Sequence, residues 1–140
     1  MKDLRLDALK WDSAEEMFHN IPAPLKNIGK FLDSFPPDKL LCRIEDWENL
    51  SDASILKRIR LDKFTSSTLY AITDISYIKD EGLFVVEPEN IKNFISIYSK
   101  KYRECFFNGD VIFILPRENM IIYFHHCGEL LLFSLPKICQ

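Results

Sequence analysis

The spacing of apolar residues changes near residue 66 of this 140-residue chain. Before that point, short helical patterns are separated by prolines. Beyond it, apolar residues recur with the period of a β-strand or form continuous runs. The change predicts an α+β fold, with short N-terminal helices followed by a largely antiparallel sheet of about four to five strands. No linker or repeat interrupts the pattern, so residues 1–140 are expected to form a single globular domain.

The first helix is predicted to begin at Asp12. Glu15 stands three residues later, in the position of a capping box. Trp11, directly before the predicted cap, is interpreted as a hydrophobic staple. The helix should end before the segment Ile21–Pro24, because its two prolines remove backbone donors and restrict the residues that precede them.

Two further helices are predicted before residue 66. Leu25–Phe35 carries apolar residues at helical spacing and ends at a pair of prolines. A shorter helix is predicted after Ser51 or Asp52, either of which can serve as its cap. The segment Leu40–Ile44 between the two helices fits a short strand or a helical turn.

The second half of the chain contains the strand signal and one clear helix. That amphipathic helix is predicted over residues 88–104, since proline suits a first helical turn and an apolar stripe follows. It should pack on the sheet. Three strand candidates are apolar on both faces, which predicts a sheet covered on both sides. The strands are predicted at Thr68–Ile72 (with a continuation toward Ile78 left open), Leu83–Val86, Val111–Leu115, Met120–Phe124 and Leu130–Phe133.

Charge and composition exclude several classes of function. The chain has 18 basic and 21 acidic residues and a net charge of −3, so it lacks the basic stripe that nucleic-acid binding needs. It has no apolar run approaching the roughly 18 residues of a membrane helix. The N-terminal residues lack the apolar run of a signal peptide, so a cytoplasmic protein with reduced, mostly buried cysteines is expected.

Candidate catalytic or metal-binding chemistry is sparse. On a strand, His125 and Cys127 would point to one face and His126 to the other, so a zinc site would need further ligands such as His19. No metal site is therefore predicted. Cys105 ends the apolar stripe of the long helix, where a buried and unreactive thiol is expected. Four glycines are too few to build a phosphate-binding loop, so no nucleotide cofactor is predicted. The sequence also shows no nucleophile–base spacing, so no catalytic residue is predicted.

Interaction chemistry is better represented than catalytic chemistry. Trp47 lies within an acidic run, and an aromatic anchor surrounded by charge is typical of protein interfaces. The alternative interpretation is that Trp47 packs on the core of its own domain while the acids stay solvated. The predicted partner-binding residues are Glu45, Asp46, Trp47, Glu48, Asp52, Asp80 and Glu81.

The C-terminal strands carry a family resemblance. The segments Asn108–Ile114, Ile121–His126 and Gly128–Leu130 resemble small bacterial immunity proteins, which are encoded beside contact-dependent growth inhibition toxins and related polymorphic toxins. The likeness covers about residues 66–135. It implies a non-enzymatic protein that binds one cognate toxin domain in the cytoplasm and blocks its active site, often that of a nuclease.

Two other functions remain open from the sequence. The chain could be a small hydrolase or nuclease that uses His125 or His126 with a nearby acid. It could also be an adaptor subunit of a larger protein assembly. The sequence leaves the oligomeric state undetermined.

Overall fold

Seven antiparallel strands form one sheet at the centre of the protein. A computed structural model describes residues 6–138, and the strands lie in the order β1-β4-β3-β5-β6-β7-β2. The prediction of a buried thiol at Cys139 and the prediction that the N-terminus lacks a signal peptide, which used the first five residues, concern residues outside the described range. Five α-helices flank the sheet in the described part of the chain, and none of them is long and apolar enough to cross a membrane.

The elements follow one another along the chain with short connections. The helices are α1 (Trp11–Met17), α2 (Ile28–Ser34), α3 (Asp52–Ile59), α4 (Asp74–Ile78) and α5 (Ile91–Tyr102). The strands are β1 (Ala8–Leu9), β2 (Lys39–Arg43), β3 (Leu69–Ile72), β4 (Leu83–Val86), β5 (Val111–Leu115), β6 (Met120–Phe124) and β7 (Glu129–Ser134). Short 3₁₀ turns precede α2 and α5 and flank α3.

The sheet is covered on both faces, as its continuous apolar runs predict. Strand β5 shows this directly, since all five of its residues are buried. Phe113 belongs to the core beneath α3 and α5, together with Ile55 and Tyr98. Ile112 and Ile114 belong to the opposite core, beneath α1 and α2. Burying one large apolar side chain stabilises a fold by about 1.5–3 kcal/mol, so the doubly covered β5 is a main source of stability.

The predicted fold class is confirmed, and the number of strands is larger than predicted. The additional strands are short edge strands. Ala8 and Leu9 pair with β4, and Lys39–Arg43 pairs with β7. The apolar pattern missed β1 because two residues are too few to show a period.

The open continuation of β3 toward Ile78 is wrong, because the strand ends at Ile72 and helix α4 begins. A capping box explains this end. The Thr73 side chain accepts from the backbone at Ser76, whose hydroxyl in turn accepts from the Thr73 N–H at 3.1 Å. Buried Thr73 also contacts the Tyr98 hydroxyl at 2.8 Å, which ties α4 to α5.

The start of the first helix also differs from its prediction. Helix α1 begins at Trp11, and its N-cap residue Lys10 makes no capping side-chain bond, so Asp12 is not the cap. Trp11 is buried and stacks on Tyr77 with 5.1 Å between ring centroids. The Glu15 carboxylate instead accepts from the Leu25 N–H, the first residue of the next helical segment.

Candidate functional site

The candidate site is one end of the sheet, where β2, β3 and β6 finish and β4, β5 and β7 begin. The strand register sets this, because Arg43 pairs with Glu129, Phe124 with Val111, and Ile72 with Ile112. Turns that are far apart in sequence therefore meet at this end. The topology brings together residues 44–50, 73–82, 103–110 and 125–129.

Acidic side chains from separate elements collect at this end, which we call the acidic end. Basic residues there are fewer: Lys10, Arg43, Lys79, Lys100, Lys101 and Arg103. One of these, Arg43, is already paired with the Glu129 carboxylate. The acids of the acidic end are Asp33, Glu45, Asp46, Glu48, Asp52, Asp74, Asp80, Glu81, Glu104, Asp110 and Glu129.

Trp47 fastens the loop after β2 to the turn after β6. Its indole Nε1 donates to the carbonyl oxygen of His126 at 2.7 Å, and its ring packs edge-on against Phe124 at 5.3 Å. Gly128 allows this approach. It has a φ of +95°, and a Cβ there would lie 2.6 Å from the Ile44 carbonyl oxygen. Trp47 is half-buried. It packs on its own domain, as one interpretation predicts, and it lies at the edge of an exposed acidic loop, as an interface residue would.

Two predicted partner-binding acids also have internal contacts. The Asp52 carboxylate accepts from the backbone N–H groups of Phe106 and Phe107 at 2.8 and 3.1 Å. Glu81 accepts from the hydroxyl of Tyr102 at 2.7 Å. These bonds tie α3 and the turn before β4 to the end of α5.

The remaining predicted acids are open to solvent. Glu45, Asp46, Glu48 and Asp80 are all exposed. Asp46 and Asp80 have left-handed backbone conformations, with φ of 53° and 52°, so each lies at a sharp reversal of the chain. These four carboxylates are available to a binding partner.

The two adjacent histidines each face an acid from another element. His126 Nδ1 lies 2.9 Å from Asp110 Oδ1, and the same oxygen accepts from the His126 backbone N–H at 2.7 Å. His125 Nε2 lies 3.6 Å from Asp33 Oδ1. Sequence analysis missed both acids, since Asp33 and Asp110 are distant in sequence and carry no local motif.

Burial and charged neighbours shift the pKa values of several groups at the acidic end. Burial, together with the charges of Asp110 and Glu15, raises the pKa of Tyr77 to about 12. Burial and a hydrogen bond with Asp74 raise the pKa of Glu104. A hydrogen bond from Arg43 lowers the pKa of the Glu129 carboxyl. The excess of carboxylates over basic groups gives this end a negative field.

The prediction that the cysteines are mostly buried is wrong for two of the three that the structure describes. Cys105 and Cys127 are exposed and Cys42 is half-buried, and none of the three forms a disulfide. Arg103 adopts a left-handed conformation (φ 56°) and ends α5, so Cys105 lies beyond the helix and outside its apolar stripe. Partial burial, with the charges of Asp52 and Glu104, raises the pKa of Cys105, which disfavours a nucleophilic thiolate.

The acidic end also carries an exposed apolar side chain that the sequence did not single out. Ile78, the last residue of α4, is 69% exposed, the most exposed of the large apolar side chains in the described chain. Its neighbour Tyr77 is half-exposed and donates to the Leu25 carbonyl oxygen. Amphipathic spacing could have identified Ile78 as exposed only if residues 74–78 had been predicted to form a helix.

Comparisons of the chain with protein-family models, with curated proteins and with solved structures found no match. The side chains of the acidic end define the chemistry that it can support. Exposed carboxylates, together with an exposed apolar side chain, can bind a basic protein surface. The contact between Asp110 and His126 orients one imidazole, which could hold a proton or a metal ion.

Proposed function

We propose that this protein is a non-enzymatic immunity protein that binds and neutralises a cognate toxin domain in the cytoplasm through its acidic end. The observation that carries the proposal is the convergence of acids from separate turns on one end of the sheet. Such a surface complements a basic protein and accelerates its association. A nuclease domain is the toxin class that best suits it, because the site of a nuclease is basic toward phosphate.

The apolar side chain that we place in the proposed interface is Ile78. Binding energy in protein interfaces is concentrated in a few apolar or aromatic side chains that charged residues surround. Ile78 is exposed, and the exposed charged residues Lys79 and Asp80 follow it in the chain. The acids would set the orientation and rate of association, and Ile78 would slow dissociation.

Internal hydrogen bonds support the proposal by holding the acidic loops in place before binding. Trp47 joins the loop after β2 to the carbonyl of His126. Asp52 ties α3 to the backbone of Phe106 and Phe107. A surface ordered in advance loses less conformational entropy when its partner binds.

Co-expression with the protein encoded directly upstream tests the proposal. We expect the wild-type chain to restore growth and to form a stable 1:1 complex with that protein. The double variant Glu45→Lys/Asp80→Lys should associate about tenfold more slowly or worse, and the difference should shrink at high salt. Ile78→Glu should accelerate dissociation.

The matched control is Glu89→Lys, an exposed acid at the opposite end of the sheet, beyond β4. It should protect cells and associate as the wild type does. The proposal fails if the upstream protein forms no complex with the wild-type chain. It also fails if the double variant and the control have equal association rates.

A second candidate function is a small hydrolase or nuclease that uses His126 as a general base. The 2.9 Å contact between His126 Nδ1 and Asp110 favours it, because such a contact leaves Nε2 available to accept a proton. The expected result is turnover of plasmid DNA, RNA or a nitrophenyl ester that His126→Ala abolishes. Activity that His126→Ala retains would refute this candidate.

A further inference from the structure

Three potential metal ligands meet at the acidic end. Asp110, His125 and His126 each offer a ligand atom, and these three atoms all lie within 4.8 Å of one another. They come from two places in the chain that the sheet brings together. Asp110 directly precedes β5 and the histidines directly follow β6, and the adjoining residues Val111 and Phe124 are paired.

The turn after β6 places both imidazoles on the same side. On a continuous strand, adjacent residues would point to opposite faces. Strand β6 ends at Phe124, and Gly128 closes the turn by donating its N–H to the His125 carbonyl oxygen at 2.8 Å. As a result, the rings of His125 and His126 stack with centroids 4.1 Å apart and 29° between their planes. The prediction of no metal site assumed the strand geometry.

The spacing within the cluster suits metal coordination. Nitrogen and oxygen ligands bind zinc at about 2.0–2.2 Å in a tetrahedral arrangement, so two ligand atoms of one ion lie roughly 3.4 Å apart. His126 Nδ1 and Asp110 Oδ1 are separated by 2.9 Å. The His126 backbone N–H holds the same carboxylate oxygen at 2.7 Å, which fixes Asp110 independently of the imidazole.

His125 requires one rearrangement before it can bind a metal through Nε2. Its Nδ1 accepts from the Cys127 N–H at 3.1 Å, which places the proton of the neutral ring on Nε2, toward Asp33. Coordination through Nε2 moves that proton to Nδ1 and breaks the bond from Cys127. The hydroxyl of Tyr123 donates to Asp33 Oδ1 at 3.0 Å and so orients this carboxylate on the Nε2 side of His125.

We propose that Asp110, His125 and His126 form a binding site for a borderline divalent cation such as Zn²⁺, with open positions that water would fill. Two imidazoles and one carboxylate suit zinc and neighbouring transition metals, and do not suit calcium or magnesium. This site goes beyond the proposed function, and it is tested on the protein alone, without a toxin. It can therefore stand or fail independently of the immunity role.

Titration of the purified chain with Zn²⁺, and with Co²⁺ as a spectroscopic probe, tests the site. We expect one site per chain of about micromolar affinity. His126→Ala and Asp110→Asn should each weaken Zn²⁺ binding about tenfold or more. His126 is exposed and its side chain has no role in the core, so the alanine variant should remain folded.

The matched control is His19→Ala, since His19 is the only other histidine and lies in the exposed segment after α1. It should bind Zn²⁺ as the wild type does. Zinc should also shift the Cys127 amide resonance in a heteronuclear NMR spectrum, because its hydrogen bond to His125 is lost.

Three results would overturn the proposal. One is the absence of binding at Zn²⁺ concentrations up to about 1 mM. Another is equal affinity of the wild type and His126→Ala. The last is a thiolate-to-cobalt charge-transfer band that His126→Ala leaves unchanged, which would assign the ion to a cysteine instead of the carboxylate and the imidazoles.

Discussion

Asp52 connects the start of α3 to the turn that follows α5. Its carboxylate accepts from the backbone N–H groups of Phe106 and Phe107, and both phenylalanines are buried. Replacing Asp52 with alanine removes the acceptor for both donors at once. The sequence suggests Asp52 as a partner-binding residue, whereas these bonds predict that it stabilises the isolated protein.

The magnitude follows from the two hydrogen bonds. A hydrogen bond to a charged group contributes about 1.5–3 kcal/mol, and the lower figure suits Asp52 because it is only partly buried. Its place in the first turn of α3 adds about 0.3–1 kcal/mol. Asp52→Ala should therefore lower the free energy of unfolding by about 3.5 kcal/mol. With a urea m-value of about 2 kcal/mol/M, the unfolding midpoint would fall by roughly 1.8 M.

Urea denaturation followed by circular dichroism measures this effect. Asp52→Asn keeps one side-chain oxygen and should lose about half as much stability as the alanine variant. The control is Glu48→Ala, an exposed acid at the same end, which should stay within about 0.5 kcal/mol of the wild type. An Asp52→Ala midpoint equal to that of Glu48→Ala would refute the structural role.

Three further predictions concern stability. Trp47→Phe should cost about 1 kcal/mol, because the ring contact with Phe124 remains and the hydrogen bond to the His126 carbonyl is lost; urea denaturation measures it, and a loss below about 0.3 kcal/mol would contradict it. Gly128→Ala should cost about 3 kcal/mol or more, because its φ is positive and its Cβ would meet a backbone oxygen at 2.6 Å; Gly109→Ala, which also has a positive φ but open space around it, is the control that isolates the steric part. Stability should also fall as the pH rises above 10, because burial raises the pKa values of Tyr98 and Tyr123 in the folded protein and leaves them ordinary when it unfolds. For each tyrosine, the free energy of unfolding should fall by about 1.4 kcal/mol per pH unit until that tyrosine ionises in the folded state. An unfolding midpoint that stays constant between pH 9 and about 11 would contradict this prediction.

Elements with a strong local period were predictable from the sequence. Helix α5 and strands β5 to β7 were predicted within about three residues of their ends, since apolar stripes and long runs fix them. Helix α4 was not, because its identity depends on the reciprocal bonds between Thr73 and Ser76, which only a folded chain shows. Strand β2 fitted two structures equally and is decided by its pairing with β7.

The candidate site was predictable in composition but not in shape. The acids near Trp47 and at residues 80–81 could be predicted to lie in exposed turns. These turns share one end of the sheet because of the strand order, and a single sequence does not encode strand order locally. The pairing of His126 with Asp110, across 16 residues, is set by the register between β5 and β6.

The proposed binding surface can be mapped directly by amide hydrogen exchange. The chain would be compared alone and in complex with the protein encoded directly upstream. Glu89→Lys would serve as the control variant, since its complex should give the same protection pattern. The relevant amides lie in the turns that join at the acidic end.

The proposal predicts slower exchange on complex formation in residues 45–50, 78–82, 108–110 and 125–128. Exchange in residues 116–119, at the opposite end of the sheet, should stay unchanged. Protection confined to that opposite end, or to the outer faces of α3 and α5, would contradict the claim that the acidic end binds the partner.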